Sequence, residues 1–356
     1  MRETPGAFDA LLDRLHPEVR RAFEDAIERI ATTAKLRDIE EMLDRGDIEG
    51  LLDALHLSPD YFREVQDAVE QAFYAGGQYQ VSISASLSSI PFNRRHWAAE
   101  AWARENGSRL IVEITEATRD GVRQYITEGL QQGRGTNAVA REIVGRVNRA
   151  TGKREGGIVG LTRQQASYVG DMRAALSADD GLPVGVSRLD ENEEPVKKFW
   201  LKRDGTLGSV FEARDRRFDR MIRKAIKDGK PLAKADVDRI VQNYTNKLQI
   251  VRGDRIARTE THNALNAGRY EAMRQTAEDA GMDVSQMRVK WMASYDSRTR
   301  DSHASLRGKT AAYGEAFVSP LTGARMRFPG DRQFGAPASE HVNCRCTLAA
   351  IWDDGA

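Results

Sequence analysis

A chain of 356 residues is long enough to bury one or two sizeable cores. Charged residues make up 30% and aromatic residues 7%, the balance of a helix-rich protein bathed in water. No stretch approaches the ~18 consecutive apolar residues of a spanning helix, and Met1 to Gly6 lacks the charged and apolar regions of an export signal, so neither a membrane partner nor export is expected. The net charge of +1 conceals an asymmetry: residues 1–75 hold 9 Lys and Arg against 18 Asp and Glu, a net of −9, leaving 45 against 35, or +10, for the remainder. An acidic head on a basic body suggests two surfaces with different partners. The basic excess is more dilute than the dense stripe of a dedicated nucleic-acid binder.

Residues 1–77 read as an acidic helical module. Phe8, Leu11, Leu12 and Leu15 recur at helical spacing, and Pro17 is expected to close that helix or start the next. Phe23, Ala26, Ile27 and Ile30 repeat the pattern, followed by Leu51, Leu52 and Leu55. Ser58-Pro59-Asp60 supplies a cap with Pro at the first helical position, and Phe62, Val65, Val69 and Phe73 line the helix that follows up to Gly76-Gly77. The Ser-rich run 78–91 loses helical period and is predicted to be an extended connector.

Residues 92–250 form a helical middle region. Trp97, Ala101, Arg104 and Ser108 open a block continued by Leu110, Ile111, Ile114, Ala117, Val122 and Ile126. Thr136 or Asn137 is expected to cap the helix holding Val139, Ile143 and Val147. Arg141, Arg146, Arg149, Lys153 and Arg154 crowd its end, where cations complement the helix dipole or gather into a patch for DNA. Ala166 to Leu176 suits another helix, and 177–210 an insertion with a short strand near Val196 to Leu201. Two more helices, Phe211 to Ile226 and Asp236 to Val251, are joined through Gly229-Lys230-Pro231.

The stretch 255–356 changes character. Ala257, Thr261, Ala264, Leu265, Gly268 and Ala272 give one helix a face of small side chains, against which a neighbour can pack closely. Met287 to Tyr295 alternates with period two, the pattern of a half-buried strand. It leads to Asp296 and Ser297, either of which can cap a helix running to Leu306, with Gly308 just past its end. Phe317 to Phe328 reads as a hairpin closed by Pro329-Gly330-Asp331. Cys346, Leu348, Ala350 and Trp352 form a last alternating strand. The fold class is α+β: helical N-terminal and middle regions, then a small C-terminal α+β domain with a short sheet and a hairpin.

The succession Arg258-Thr259-Glu260, Lys290-Trp291, Asp296 to His303 with Gly308, Phe317, Pro329 to Asp331 and Asn343 to Thr347 resembles the phage Mu F-like head-morphogenesis family across about 255–352. Residues 92–147 are similar to that family's upstream region in pattern alone, and 160–250 is longer than the family pattern. The resemblance implies structural roles for Arg258, Glu260, Trp291, Asp296, Arg298, Arg300, Gly308 and Asn343. It also implies a minor capsid protein of a tailed phage or prophage, made in the bacterial cytoplasm and incorporated into the prohead and virion. Portal and capsid proteins are the implied partners, with a role in head assembly and in DNA packaging or ejection, and with non-specific contact to DNA.

Two clusters carry chemistry. Cys344 and Cys346 are two apart, which on a strand puts both sulfurs on one face, while a disulfide between them would strain a very small ring. With His303 and His341 they would complete a Cys₂His₂ zinc set, unless the thiols are simply buried as small hydrophobes. Asp296, Arg298, Arg300 and Asp301, with His303, would serve either as an acid–base centre or as an ion-paired brace. No phosphate loop, serine elbow or His-Glu-x-x-His helix occurs, so no catalytic residue is assigned. A metal-dependent hydrolase or toxin-type effector and a DNA-binding protein stand as alternatives to the structural role.

Overall fold

The computed structural model describes residues 6–85, 90–177, 186–189 and 195–351, and among these the protein is mostly helical with small antiparallel sheets. In chain order the helices are α1 (Ala7–Thr33), α2 (Leu36–Asp44), α3 (Ile48–Ala54), α4 (Arg63–Ile83), α5 (Trp97–Gln131), α6 (Thr136–Val144), α7 (Arg163–Leu176), α8 (Asp219–Asp228), α9 (Lys234–Asp279), α10 (Asp301–Ala304) and α11 (Ala338–His341). The strands are β1 (Arg146–Val147), β2 (Arg154–Glu155), β3 (Val186–Leu189), β4 (Pro195–Lys197), β5 (Phe199–Leu201), β6 (Leu207–Ser209), β7 (Arg288–Met292), β8 (Thr310–Ala312), β9 (Phe317–Val318), β10 (Arg325–Met326) and β11 (Thr347–Ile351). Two compact units are interleaved along the chain: unit 1 is Met1–Phe23, Phe62–Ile111 and Gly253–Ala356, and unit 2 is Glu24–Tyr61 and Val112–Arg252. The acidic 1–77 block therefore supplies segments to both units, as does 92–250, whereas 255–356 lies wholly in unit 1.

In unit 1, close helix packing follows from glycine. A Cβ on Gly76 of α4 would stand 2.2 Å from the Leu265 carbonyl oxygen, and one on Gly268 of α9 would stand 1.9 Å from that of Phe73. The small-residue face expected on α9 thus meets α4 backbone to backbone. Gly76-Gly77 does not end α4, which continues to Ile83 and leaves only part of the predicted connector 78–91 outside it; residues 86–89 lie outside the described residues. Gly253 likewise does not break α9, a single 46-residue helix where two were expected: its missing Cβ admits the Phe23 ring, 3.2 Å from where that atom would lie. Pro17 lies inside α1, because buried Phe8 and Leu12 before it and Val19 and Phe23 after it hold one continuous apolar face. That burial offsets the ~3 kcal/mol a mid-helix proline costs.

The strand read from alternation is β7, centre of the three-stranded antiparallel sheet β11-β7-β8. Trp291 stands opposite Leu348, both fully buried, and Val289 opposite Ala350. The predicted hairpin is present as β9 and β10, pairing Val318 with Arg325 and Phe317 with Met326. The last strand begins at Thr347, so both cysteines sit in the loop ahead of it, and Trp352 lies outside the described residues. Helix α10 is shorter than expected and starts after Arg300 with no side-chain cap. Asp296 instead accepts the Arg298 backbone N–H (3.0 Å) in the preceding turn, and Gly308 takes the left-handed conformation (φ 75°).

In unit 2, Thr162 and Gln165 form a capping box at the start of α7, and Gly229 ends α8 with φ 61°. Neither Thr136 nor Asn137 caps α6; Gly135 occupies that position without a side-chain bond. The single strand expected near Val196 to Leu201 is split in two, β4 paired with β3 and β5 paired with β6. Residues 178–185 and 190–194 of that insertion lie outside the described residues. Much of the basic crowd is engaged locally: Arg146 pairs with Asp238 (2.8 Å), Lys153 with Glu28 (2.6 Å), and Arg154 donates to the Gly145 carbonyl (2.9 Å) just past α6.

Candidate metal centre

Beside the C-terminal sheet, His303 meets two cysteines 41 and 43 positions further along the chain. Trp291 on β7 presents its indole to the His303 ring edge-on, with centroids 5.3 Å apart, and contacts Phe317 at the same separation. His303 is carried on α10. Opposite it, the loop between α11 and β11 delivers Cys344 and Cys346. The His303 Nδ1 atom lies 3.5 Å from the Cys344 sulfur and 3.4 Å from that of Cys346. Relative exposures are 1% for His303, 3% for Cys344 and 2% for Cys346, so the three donors face one another away from water. All three ligating atoms lie within 4.8 Å of one another, and among the described residues no other His, Cys, Asp or Glu joins them.

That set holds three of the four expected ligands. His341, at the end of α11, is buried but does not bring a ring nitrogen into the cluster. Its neighbour Glu340 takes a position the sequence did not suggest. A Glu340 carboxylate oxygen lies 2.9 Å from His303 Nε2, close but not along the line of an ideal hydrogen bond, and the same oxygen accepts from the Ser302 hydroxyl at 3.0 Å. Glu340 is 1% exposed, so its carboxyl meets these two neighbours rather than water.

Neighbouring groups fix the loop. Arg300 donates to the backbone carbonyls of Glu340 (3.5 Å) and Val342. Asn343 adopts the left-handed conformation (φ 53°), and its N–H donates to the Thr259 hydroxyl at 3.1 Å. His262 Nε2 meets the Cys346 carbonyl at 2.7 Å, a donor role that fixes its tautomer, and Asn266 donates to the same oxygen at 3.2 Å. Burial draws the His262 pKa down to about 4, so the ring is neutral at pH 7. The Cys346 thiol is drawn down, first by the Cys344 thiol beside it and then, against burial, by His303 and the Trp291 indole. Cys344 is pushed up by its burial and by the adjacent sulfur. Two sulfurs and an imidazole nitrogen converging in a dry pocket form a donor set that can hold a metal ion.

The second cluster separates in space. Asp296 pairs with Arg345 and, at 3.6 Å, with the exposed Arg298; the Arg345 hydrogen bond chiefly holds its carboxyl below the usual range. Arg300 turns instead to the backbone carbonyls described above. Glu260 on α9 is buried and receives Arg332 at 3.3 Å, which fastens α9 to the segment after the hairpin. Arg258 lies half-buried on the same helix. The Asp296–Arg345 and Glu260–Arg332 pairs each join two separate stretches of backbone, whereas Asp296–Arg298 stays within one turn.

Residues 217–349 match the family model described as "Phage Mu protein F like protein". This stretch belongs to the Phage Mu protein F-like family. The Mu F-like region starts upstream of the expected 255, taking in α8 and the first half of α9, and it contains the whole donor cluster. The chain is also 28% identical over 193 residues to "Minor head protein GP7" of Bacillus phage SPP1, covering 53% of this chain and 57% of that protein. It is 36% identical over 104 residues to "NAD(+)--arginine ADP-ribosyltransferase EFV" of Enterococcus faecalis, covering 28% of this chain and 18% of that one. The chain thus spans a little over half the length of the first relative and under a fifth of the second. No solved structure matches it.

Proposed function

We propose that this protein is a minor head protein of a tailed phage or prophage, located at the portal vertex of the prohead and acting in head assembly. The observation that carries this reading is the 193-residue similarity to a minor head protein, which extends well beyond the 133 residues, 217 to 349, of the Mu F-like region. Portal and capsid proteins are the partners we assign, with the virion as final location. Non-specific contact with DNA fits the basic excess outside residues 1–75. For the donor cluster we propose zinc, whose preference for thiolate and imidazole matches the two sulfurs and the nitrogen. All three donors are buried, whereas a hydrolytic centre needs its fourth position open to water and substrate.

The test is co-expression of this chain with the portal protein of its own phage, followed by affinity capture of either one. Stoichiometric recovery of the other at moderate salt is expected. Free chain and free portal under those conditions would contradict the portal assignment.

A further inference from the structure

We propose that Glu340 is the positioning residue of a zinc site formed by His303 Nδ1, Cys344 Sγ and Cys346 Sγ, its carboxylate fixing the His303 imidazole in the orientation that aims Nδ1 at the metal. The inference rests on the zinc reading above and is independent of the assignment to the phage head. Its geometry starts from the two nitrogens of one ring. Nε2 faces the Glu340 carboxylate at 2.9 Å, and Nδ1 faces both sulfurs at 3.4 and 3.5 Å. A carboxylate beside Nε2 favours the tautomer that carries its proton there, which leaves the Nδ1 lone pair directed at the sulfurs. The separations fit an ion: Zn–N near 2.05 Å and Zn–S near 2.3 Å at tetrahedral angles place nitrogen and sulfur about 3.6 Å apart.

Glu340 is itself held. Ser302, the residue before His303, donates its hydroxyl to the same carboxylate oxygen at 3.0 Å, and Arg300 donates to the Glu340 backbone carbonyl. Consecutive residues at the start of α10 therefore orient the carboxylate and supply the ligand. A carboxylate–imidazole pair 1% exposed at both members has no solvent role, and burying an acidic group there is costly unless something nearby makes use of its charge. A zinc ion beyond the ring supplies that use: the carboxylate makes the imidazole a stronger donor to the metal. The ion would tie α10 to the loop entering β11, closing a segment of about forty residues that contains the β9–β10 hairpin.

The experiment uses the full chain, with cobalt(II) as a spectroscopic substitute for zinc. Wild-type protein should bind one cobalt per chain, with thiolate-to-metal charge transfer in the near ultraviolet, and zinc should displace it. Glu340→Gln should keep the two-thiolate spectrum but bind zinc about 10- to 100-fold more weakly in competition with a chromophoric chelator. Glu340→Asp should recover part of that loss. Zinc affinity in Glu340→Gln equal to wild type would overturn the positioning role while leaving the metal site standing. Wild-type protein that shows no thiolate–cobalt band would overturn the site itself and leave the head-assembly reading untouched.

Discussion

Asp238 receives two guanidinium groups, Arg173 at 2.7 Å and Arg146 at 2.8 Å, while Arg173 reaches across to Glu142 at 2.7 Å. Burial alone would raise the Asp238 carboxyl, but the hydrogen bonds from Arg173 and Arg146 bring it below the ordinary range. A carboxylate with a lower pKa in the folded than in the unfolded state stabilises the fold above its unfolded pKa, near 4, and loses that contribution as pH falls through the folded value. Asp238→Asn should therefore cost about 1.5–3 kcal/mol at pH 7, the range for a hydrogen bond to a charged group. In urea titrations the gap from wild type should shrink below pH 4, and a gap that stays constant down to pH 2 would count against the ionic account. Chelator should lower the melting temperature of zinc-loaded wild type and leave Cys346→Ser unmoved, as followed by calorimetry.

Among the elements, the tightest approach in unit 1 is that of α4 and α9, set by glycines in both helices. Gly268→Ala would gain about 1 kcal/mol of helix propensity but drive a methyl group into the Phe73 carbonyl. Overpacking of that kind costs about 1–3 kcal/mol or more, so net destabilisation is expected, read as a lower urea midpoint with an unchanged slope. These same glycines explain where the sequence misleads. Glycine signals a helix end when it needs positive φ and a helix interior when it needs no Cβ, and a single chain does not distinguish the two; Gly76, Gly77 and Gly253 are of the second kind and Gly229 of the first. Strand β7 and the β9–β10 hairpin were legible because alternation and turn residues are local signals. The convergence of His303 on Cys344 and Cys346 was legible because the chemistry of the side chains limits their uses. Glu340 was not, since an acidic residue in a short polar segment carries no local sign of burial, and only tertiary packing shows that it, rather than His341, meets His303.

At the scale of the whole molecule, the two interleaved units divide the acidic N-terminal block unevenly: residues 24–61, in unit 2, carry 4 Lys and Arg against 11 Asp and Glu, or −7 of the −9 in residues 1–75. The Mu F-like match begins in unit 2 and ends in unit 1. A truncation at residue 255 would therefore cut α9 through its middle, and that fragment should express poorly compared with the full chain, as judged by soluble yield and proteolysis. The role in the phage head is the claim on which the functional account depends, and particle composition tests it most directly. Proheads and virions from cells producing the phage that encodes this chain are separated on a density gradient, and the chain is quantified in each fraction by mass spectrometry. A few copies per particle, co-sedimenting with portal and major capsid protein, are expected. The chain confined to the soluble fractions, with particles of normal composition forming when its gene is deleted, would contradict the assignment.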